Sequence, residues 1–319
     1  MDGQCHRPRG TYLRHRRDGL HQQRQYAAQT ARPTSLVQFF LHPVNEIGAA
    51  FVLPAFDISV EAVAVFRINP EYLIEKITAR IAPNKAVLIF GARRVGKTVM
   101  MRKIVDNYSG RTMMLNGEDY DTLALLENRS IANYRHLLDG IDLLAIDEAQ
   151  NIPQIGSILK LIVDEIPGIS VLASGSSSFD LLNKTGEPLV GRSTQFLLTP
   201  FSQREIAQTE TALETRQNLE ARLIYGSYPE VVMMENYERK TDYLRDIVGA
   251  YLLKDILAID GLKNSSKMRD LLRLIAFQLG SEVSYEELGK QLGMSKTTVE
   301  KYLDLLEKVF VIYRLGLFA

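Results

Sequence analysis

The chain has little cysteine, no net charge and no long apolar run, and each of these features excludes some classes of protein or of binding site. Cys5 is the only cysteine among 319 residues, which excludes an intramolecular disulfide and any metal site built from several cysteines. Basic and acidic residues both number 38, so no global field attracts nucleic acid or a membrane, although a local basic face is still allowed. The most apolar stretch, residues 47–56, is too short to span a bilayer and contains Pro54. We therefore expect a cytoplasmic protein with no membrane partner and no secretion signal.

Residues 1–66 differ in composition from the rest of the chain. Their basic residues are all arginine, the first lysine is Lys76, and no helical or strand period persists before about Leu36. One interpretation is a basic arm that binds nucleic acid. A second is a metal site, but its candidate ligands lack any familiar spacing: Cys5, His6, His15 and His21. We favour a third, in which the segment is a disordered tail or an extension from an upstream start codon.

The most informative stretch is AVLIFGARRVGKT, at residues 86–98. An apolar, strand-favouring run is followed by eight residues that fit G-x-x-x-x-G-K-[ST] at every fixed position, which predicts a strand, a phosphate-binding loop and a helix that begins at about Lys97. Gly91 and Gly96 can adopt backbone angles that are closed to other residues, so the loop can wrap closely around a phosphate. Its N–H groups and the helix N-terminus would present partial positive charge to an anion.

We therefore expect ATP and Mg²⁺ as ligands of this loop. Lys97 would reach the β- and γ-phosphates, and the Thr98 hydroxyl would ligate Mg²⁺. The alternative is an ordinary strand-to-helix turn, which the amphipathic segment after the loop argues against. The residues predicted to contact the nucleotide are Gly91, Ala92, Arg93, Arg94, Val95, Gly96, Lys97, Thr98, Val99 and, from a later strand, Ser174.

A second informative stretch is LLAIDEAQ, at residues 143–150. It has the character of a buried strand that ends in two adjacent carboxylates, which repel each other and need a cation or solvent. Asp147 is predicted to hold Mg²⁺, directly or through water, and Glu148 to polarise the attacking water as a general base. A solvated turn is the alternative, but the pair lies about 50 residues after a phosphate loop, which favours the catalytic interpretation.

Strands and helices alternate through this region, which predicts an α/β fold with a parallel sheet covered by helices on both faces. The strand at residues 169–173 runs into SGSSS, where Ser174 and Ser176 could hydrogen-bond the attacking water or the γ-phosphate. A serine-rich loop that caps the next helix is an equally weighted alternative. We expect this strand to lie between the other two, so that all three motifs converge where ligands bind, at the carboxyl ends of the strands.

Arg192 is a candidate for stabilising charge on the transferring phosphoryl group, either in cis or from a neighbouring subunit. A surface salt bridge is the commoner fate of an arginine, and this alternative stays open. An arginine supplied by a neighbour would make the working protein an oligomer.

The chain divides into four predicted regions. Residues 1–66 form the disordered or spurious extension, residues 67–200 the ATPase core, and residues 201–262 a helical lid beside the nucleotide. Residues 263–319 are predicted to form a helix-turn-helix domain with a wing, because a polar linker is followed by three helical segments and a strand-like run: 268–279, 284–292, 296–308 and 309–317.

The last helix of this domain carries charges of both signs on the face that we expect to be exposed. Contact with DNA bases or phosphates is allowed by such a face but not demanded by it, and winged helices also bind proteins. DNA and a protein therefore stay open as partners. The residues concerned are Lys296, Thr297, Glu300, Lys301 and Asp304.

The chain resembles bacterial and archaeal P-loop ATPases of the AAA+ superfamily that carry a C-terminal domain of uncharacterised function. The resemblance covers about residues 67–319 and rests on these blocks, followed by the helix-turn-helix: GARRVGKT, LLAIDEAQ, ASGSSS, VGR, LTPFSQREI, YGSYPEVV and YLLKDI. It implies a three-layer P-loop NTPase sheet, a helical lid and a C-terminal winged helix. It also implies the usual roles for Lys97, Thr98, Asp147 and Glu148, a first-sensor position for Ser174, and an arginine role for Arg192.

Members of this family usually continue past the winged helix, whereas this chain stops at Ala319 within a strand-like run, so we expect a truncated C-terminus. The leading hypothesis is a Mg²⁺-dependent ATPase that forms ADP and phosphate. The alternative is a nucleotide-gated regulator that binds DNA or protein with little or no hydrolysis, and a third hypothesis is a pseudo-ATPase left by truncation. The preference for ATP over GTP rests on the resemblance, since no guanine-reading N-K-x-D motif is present.

Overall fold

A computed structural model describes residues 38–41, 63–64, 70–176, 189–252 and 265–315. The predicted basic arm and the Cys5–His21 metal alternative lie outside these residues. Within them, no helix combines the length and the apolar character needed to cross a bilayer.

The central element is a parallel sheet of six strands within the described residues, in the order β2-β7-β3-β6-β5-β4. Its strands are buried on both faces at the centre, as expected for parallel strands covered by helices. The prediction of an α/β fold with a parallel sheet is therefore confirmed. The strands are β2 (Val63–Ala64), β3 (Lys85–Phe90), β4 (Thr112–Asn116), β5 (Leu143–Asp147), β6 (Ser170–Gly175) and β7 (Ser193–Leu197).

Helices cover the two faces of this sheet. Alternate residues along each strand face opposite sides, so Val87 and Ile89 pack with one set of helices while Leu88 packs with the other. The first set consists of α1 (Pro70–Thr78) and α2 (Lys97–Asp106); the second consists of α3 (Tyr120–Glu127), α4 (Ile131–Leu137) and α5 (Ile155–Glu165). The sheet is therefore the middle layer of three.

The regular secondary structure in the described part of the predicted lid consists of short helices joined by turns. It begins at α6 (Gln203–Ile206), where Ser202 and Glu205 form the predicted capping box. Tyr228 and Val231 belong to the hydrophobic cluster that includes residues of α2, so this part of the lid packs on the α2 side of the sheet. The other elements are α7 (Ala212–Gln217), α8 (Leu219–Tyr225), α9 (Pro229–Met233), α10 (Tyr237–Asp246) and a π-helical turn (Ile247–Leu252).

The C-terminal region has its own core and the predicted order of three helices. These are α11 (Ser265–Phe277), α12 (Tyr285–Leu292) and α13 (Lys296–Lys308). The Ser295 hydroxyl caps the N-terminus of α13 by accepting from the Thr298 N–H. The strand β8 (Ile312–Leu315) follows. Its partner in the structure is an antiparallel strand, β1 (Gln38–Leu41), rather than a neighbouring hairpin strand. The winged-helix assignment therefore stays a prediction.

Two short strands lie within the N-terminal region. Residues 1–66 are predicted to be disordered or spurious, but β1 pairs with β8 and β2 pairs with β7 at the edge of the main sheet. The sequence pattern does not predict these two strands, and the assignment of residues 1–66 as a whole stays a prediction. The partners of β1 and β2 lie far along the chain, so no local sequence pattern predicts these two strands.

Phe310 connects the C-terminal region to the core around the parallel sheet. It lies between α13 and β8, and its ring is 6.3 Å from that of Phe90, the last residue of β3. It contacts both hydrophobic clusters that flank the sheet. Its backbone has φ = +60°, a region that a bulky residue adopts only where the surrounding structure imposes it.

Candidate nucleotide-binding site

The loop between β3 and α2 has the backbone geometry that its glycines predict. Gly91 has φ = +152° and Gly96 has φ = +98°, and Arg94 between them is also at positive φ. Gly91 has a second constraint, because a Cβ there would lie 2.1 Å from the carbonyl oxygen of Leu198. The loop is therefore shaped both by its own turn and by the chain that passes beside it after β7.

Lys97 is buried within the loop that it follows. Only 4% of the residue is exposed, and its Nζ donates to the carbonyl oxygens of Gly91 (2.9 Å) and Ala92 (3.0 Å). A buried ammonium needs such acceptors, because removing a charge from water is costly. The ammonium is thus held at the loop itself, where an anion bound by the loop N–H groups would meet it.

Thr98, the residue after Lys97, contacts Asp147 at the end of β5. The Thr98 Oγ1 donates to Oδ2 of Asp147 over 2.6 Å, although the two residues are 49 positions apart in the chain. The other carboxylate oxygen accepts from the Ser174 hydroxyl and from the Glu148 backbone N–H. Since β6 lies between β3 and β5, Ser174 occupies the middle of this arrangement, as its predicted strand position requires.

Glu148 sits at the end of β5 in a left-handed backbone conformation, with φ = +49°. Its side chain accepts a hydrogen bond of 2.5 Å from Nε2 of Gln150, and the same amide group bonds to Ser176. The structure therefore brings Lys97, Thr98, Asp147, Glu148 and Ser174 to one edge of the sheet, with Ser176 linked to them through Gln150.

The remaining predicted loop residues have different environments. The Val95 side chain is fully buried in the core, so only its backbone can face a ligand, whereas Val99 is 62% exposed. Arg93 forms an ion pair with Glu118 at 3.6 Å, and Arg94 contacts Glu230 of α9 at 3.1 Å. The second pair connects the phosphate loop directly to the lid.

Arg192 lies at the wrong edge of the sheet for a role in cis. Its carbonyl accepts from the N–H of Ala86 at the start of β3, about 16 Å along that strand from Gly91. Its guanidinium is paired with Asp164 of α5. The predicted action of Arg192 on a nucleotide of its own subunit is therefore wrong, because the amino end of β7 faces away from the loop. Action on a neighbouring subunit stays a prediction.

Two residues of the site were not assigned a role from the sequence. Gly117 follows β4, and its N–H donates to the Asp147 carbonyl over 2.8 Å; a Cβ there would lie 2.3 Å from the Glu148 carbonyl oxygen. Gln150 contacts Glu148 directly. The glycine after a strand was a usable signal for close backbone approach, whereas nothing local distinguishes the Gln150 amide from an exposed one.

The donors at this edge fit a magnesium nucleotide. Mg²⁺ takes oxygen ligands and usually binds one or two carboxylates together with substrate phosphates, and Thr98 and Asp147 offer a hydroxyl and a carboxylate. Within the described ranges no group of three or more His, Cys, Asp or Glu forms a separate metal cage. The Lys97 ammonium and the loop N–H groups suit the phosphates.

Family models match two parts of the chain. Residues 83–207 match a family described as AAA domain, and residues 216–319 match a domain of unknown function, DUF8612. The first match contains the phosphate loop and the acidic end of β5. Together with the parallel sheet, it supports a P-loop NTPase of the AAA type.

Curated relatives extend over most of this chain. One is an uncharacterised protein of Methanocaldococcus jannaschii, 21% identical over 76% of this chain and 59% of its own length. Another is an uncharacterised protein of Mycobacterium tuberculosis, 25% identical over 72% of this chain and 49% of its own length. The chain thus spans about half to three-fifths of the relatives that it matches.

Solved structures give weaker likenesses. A RuvB mutant of Thermotoga maritima is 17% identical with a TM-score of 0.32, and the alignment covers 74% of this chain and 85% of that one. Drosophila ORC bound to DNA is 17% identical with a TM-score of 0.30, over 75% and 78% of the two chains. TM-scores of this size do not define a shared fold on their own.

Proposed function

We propose that this protein binds Mg²⁺-ATP at the loop 91–98 and hydrolyses it to ADP and phosphate. The observation that carries the proposal is the 2.6 Å hydrogen bond between Thr98 and Asp147, which unites the two motifs at one point. The Lys97 ammonium, held at the carbonyls of Gly91 and Ala92, supports the same position for the phosphates.

Each residue then has a defined task. The loop N–H groups and Lys97 bind the phosphates and offset negative charge that develops on them. Thr98 and Asp147 hold the metal, which would neutralise charge on the phosphate oxygens when bound. Glu148 orients and deprotonates the water that attacks the γ-phosphorus. Ser174 fixes the Asp147 carboxylate from β6.

Two substitutions test the assignment. Lys97→Ala should abolish the rise in melting temperature that ATP produces, because the phosphates lose their buried cation. Glu148→Gln should retain that rise but lose phosphate release by about 100-fold or more, since the amide cannot accept the proton. Exposed Lys103→Ala, on the same helix, serves as the control for Lys97. Unchanged ATP binding by Lys97→Ala would refute the site, and unchanged hydrolysis by Glu148→Gln would refute the base.

The preference for ATP over GTP can be tested by the same measurement of melting temperature. Melting curves with ATP, GTP and no nucleotide, each with and without Mg²⁺, should show the largest rise with Mg²⁺-ATP. An equal rise with GTP would remove the adenine preference from the proposal. No rise with either nucleotide would favour the pseudo-ATPase hypothesis.

A second candidate function is a nucleotide-gated regulator that binds DNA or a protein through residues 263–319. The contact between Phe310 and Phe90 favours it, because Phe90 immediately precedes the phosphate loop. The face of α13 has no excess of basic residues, since Lys296 and Lys301 are matched by Glu300 and Asp304. Lys296 is exposed but paired with Glu286 at 3.5 Å, and Asp304 pairs with Arg314 at 2.5 Å. A protein partner therefore fits this face better than DNA does.

Binding to DNA at several salt concentrations separates the partners. A loss of affinity that is linear in the logarithm of salt concentration would support phosphate contacts by the basic residues of α13. We expect no such binding, and a salt-dependent, ATP-sensitive affinity would overturn that expectation in favour of DNA.

A further inference from the structure

Gln150 forms a three-point clamp between the carboxylate of Glu148 and the end of β6. Its Nε2 donates to Oε2 of Glu148 at 2.5 Å and to Oγ of Ser176 at 3.0 Å, while its Oε1 accepts from the Ser176 backbone N–H at 3.2 Å. A carboxylate only accepts and a backbone N–H only donates, so these two partners fix which end of the amide is which. The amide orientation is therefore determined by its surroundings.

Hydrogen bonds from its N–H group hold the backbone of Glu148 in place independently of its side chain. Its N–H donates to Oδ1 of Asp147 and to Oγ of Ser174, both at 3.1 Å, and its φ of +49° lies in the left-handed region. Gly117 packs against its carbonyl oxygen. The freedom that Glu148 retains is rotation of its side chain. Gln150 restricts this rotation by donating a hydrogen bond to the carboxylate.

A general base acts well only when its lone pair is aimed at the proton it removes, and catalytic bases are commonly held by a third group. Gln150 occupies Oε2 of Glu148 and leaves the other carboxylate oxygen for a water. A neutral amide does this without adding charge beside Asp147. The same amide ties the carboxylate to Ser176, one residue beyond β6.

We propose that Gln150 is a positioning residue for hydrolysis: it orients the Glu148 carboxylate towards the attacking water and couples it to the carboxyl end of β6. This inference rests on the proposed ATPase function and deepens it. It gives Ser176 an indirect role through Gln150, in place of the direct contact with water or phosphate that the sequence suggests.

The test replaces Gln150 by Met, which has similar length but no donor. We expect kcat to fall about 10- to 100-fold, the cost of a small misplacement of a catalytic group, with the KM and the equilibrium affinity for Mg²⁺-ATP unchanged within about twofold. Ser176→Ala removes part of the clamp and should lower kcat by a smaller factor. Gln291→Met, on the exposed surface of α12, is the matched control and should leave the rate unchanged.

A double mutant separates positioning from a purely structural role. In the Glu148→Gln background, Gln150→Met should lower the residual rate no further, because the group through which it acts is gone. An equal fold-loss in that background, or a wild-type kcat in Gln150→Met, overturns the inference. Should Gln150→Met lack a cooperative melting transition, Ser176→Ala decides: a wild-type kcat there overturns the inference.

The same assay separates this inference from the proposed function. Wild-type hydrolysis that Glu148→Gln abolishes, combined with a normal rate in Gln150→Met, overturns the clamp and leaves the ATPase assignment intact. Absence of hydrolysis in the wild type overturns both. Loss of hydrolysis in Glu148→Gln together with the kcat-selective loss in Gln150→Met supports both.

Discussion

The hydroxyl of Thr98 donates a 2.6 Å hydrogen bond to the carboxylate of Asp147, so one short contact joins the start of α2 to the end of β5. In the function proposed above, these two oxygens would be the protein groups that share a magnesium ion. The contact predicts that metal dependence can be separated from nucleotide binding by changing Thr98 alone.

Thr98→Val keeps the shape of the side chain but removes the hydroxyl. We expect the part of the ATP-induced rise in melting temperature that requires Mg²⁺ to shrink, while the part seen without Mg²⁺ persists through Lys97. Thr98→Ser keeps the hydroxyl and is the control, with a response close to that of the wild type. A Mg²⁺ response in Thr98→Val equal to that of Thr98→Ser would contradict the metal assignment.

Gly117 offers a steric test of the same site from the other side. In Gly117→Ala, the new Cβ would lie 2.3 Å from the Glu148 carbonyl oxygen, which belongs to the backbone and cannot swing away. We expect a loss of about 1–3 kcal/mol in the free energy of unfolding and a lower hydrolysis rate, because Glu148 must move. Chemical denaturation and phosphate release measure the two effects.

Gly249→Ala is the matched control, since a Cβ there has no atom within 4 Å among the described residues. Its stability and hydrolysis rate should stay close to those of the wild type. Equal behaviour of the two alanine variants would show that Gly117 does not support Glu148.

Much of the site could be predicted from the sequence because its motifs are local. A fixed spacing within eight residues identifies the phosphate loop, and an apolar run before Asp147 and Glu148 identifies β5. Because the carboxyl ends of parallel strands lie at the same edge of a sheet, both motifs are predicted to lie at that edge, with Ser174 between them. These inferences depend only on residue types at short spacings in the chain and on the common direction of parallel strands.

The common direction of parallel strands also excludes Arg192 from a role in cis. Arg192 precedes β7, and the amino ends of parallel strands lie at the edge opposite the carboxyl ends. Other misses have no local signal at all. The pairing of β1 with β8 joins two segments that are far apart in the chain, and the partners of Gln150 depend on side-chain geometry that periodicity does not encode.

Phe310 should contribute to the stability of the whole chain rather than of the C-terminal helices alone. Its partly buried ring contacts Phe90 and both core clusters, so we expect Phe310→Ala to cost about 2 kcal/mol, below the range for a fully buried phenylalanine. Phe277→Ala, at a position 80% exposed, should change stability by less than about 0.5 kcal/mol. Equal midpoints of denaturation for the two variants would show that the Phe310 contact contributes nothing.

Tyr228 predicts how stability depends on alkaline pH. Burial raises the pKa of the Tyr228 hydroxyl above its ordinary value near 10, and the neighbouring Tyr313 and Tyr243 raise it further. The folded protein therefore keeps a proton that the unfolded chain releases above pH 10. The stability from this group is fully present below pH 10 and is lost as the pH rises, by about 1.4 kcal/mol per pH unit. Tyr228→Phe should remove that part of the slope in urea titrations between pH 9 and about 11. A wild-type slope in Tyr228→Phe would mean that the hydroxyl reaches solvent in the folded protein.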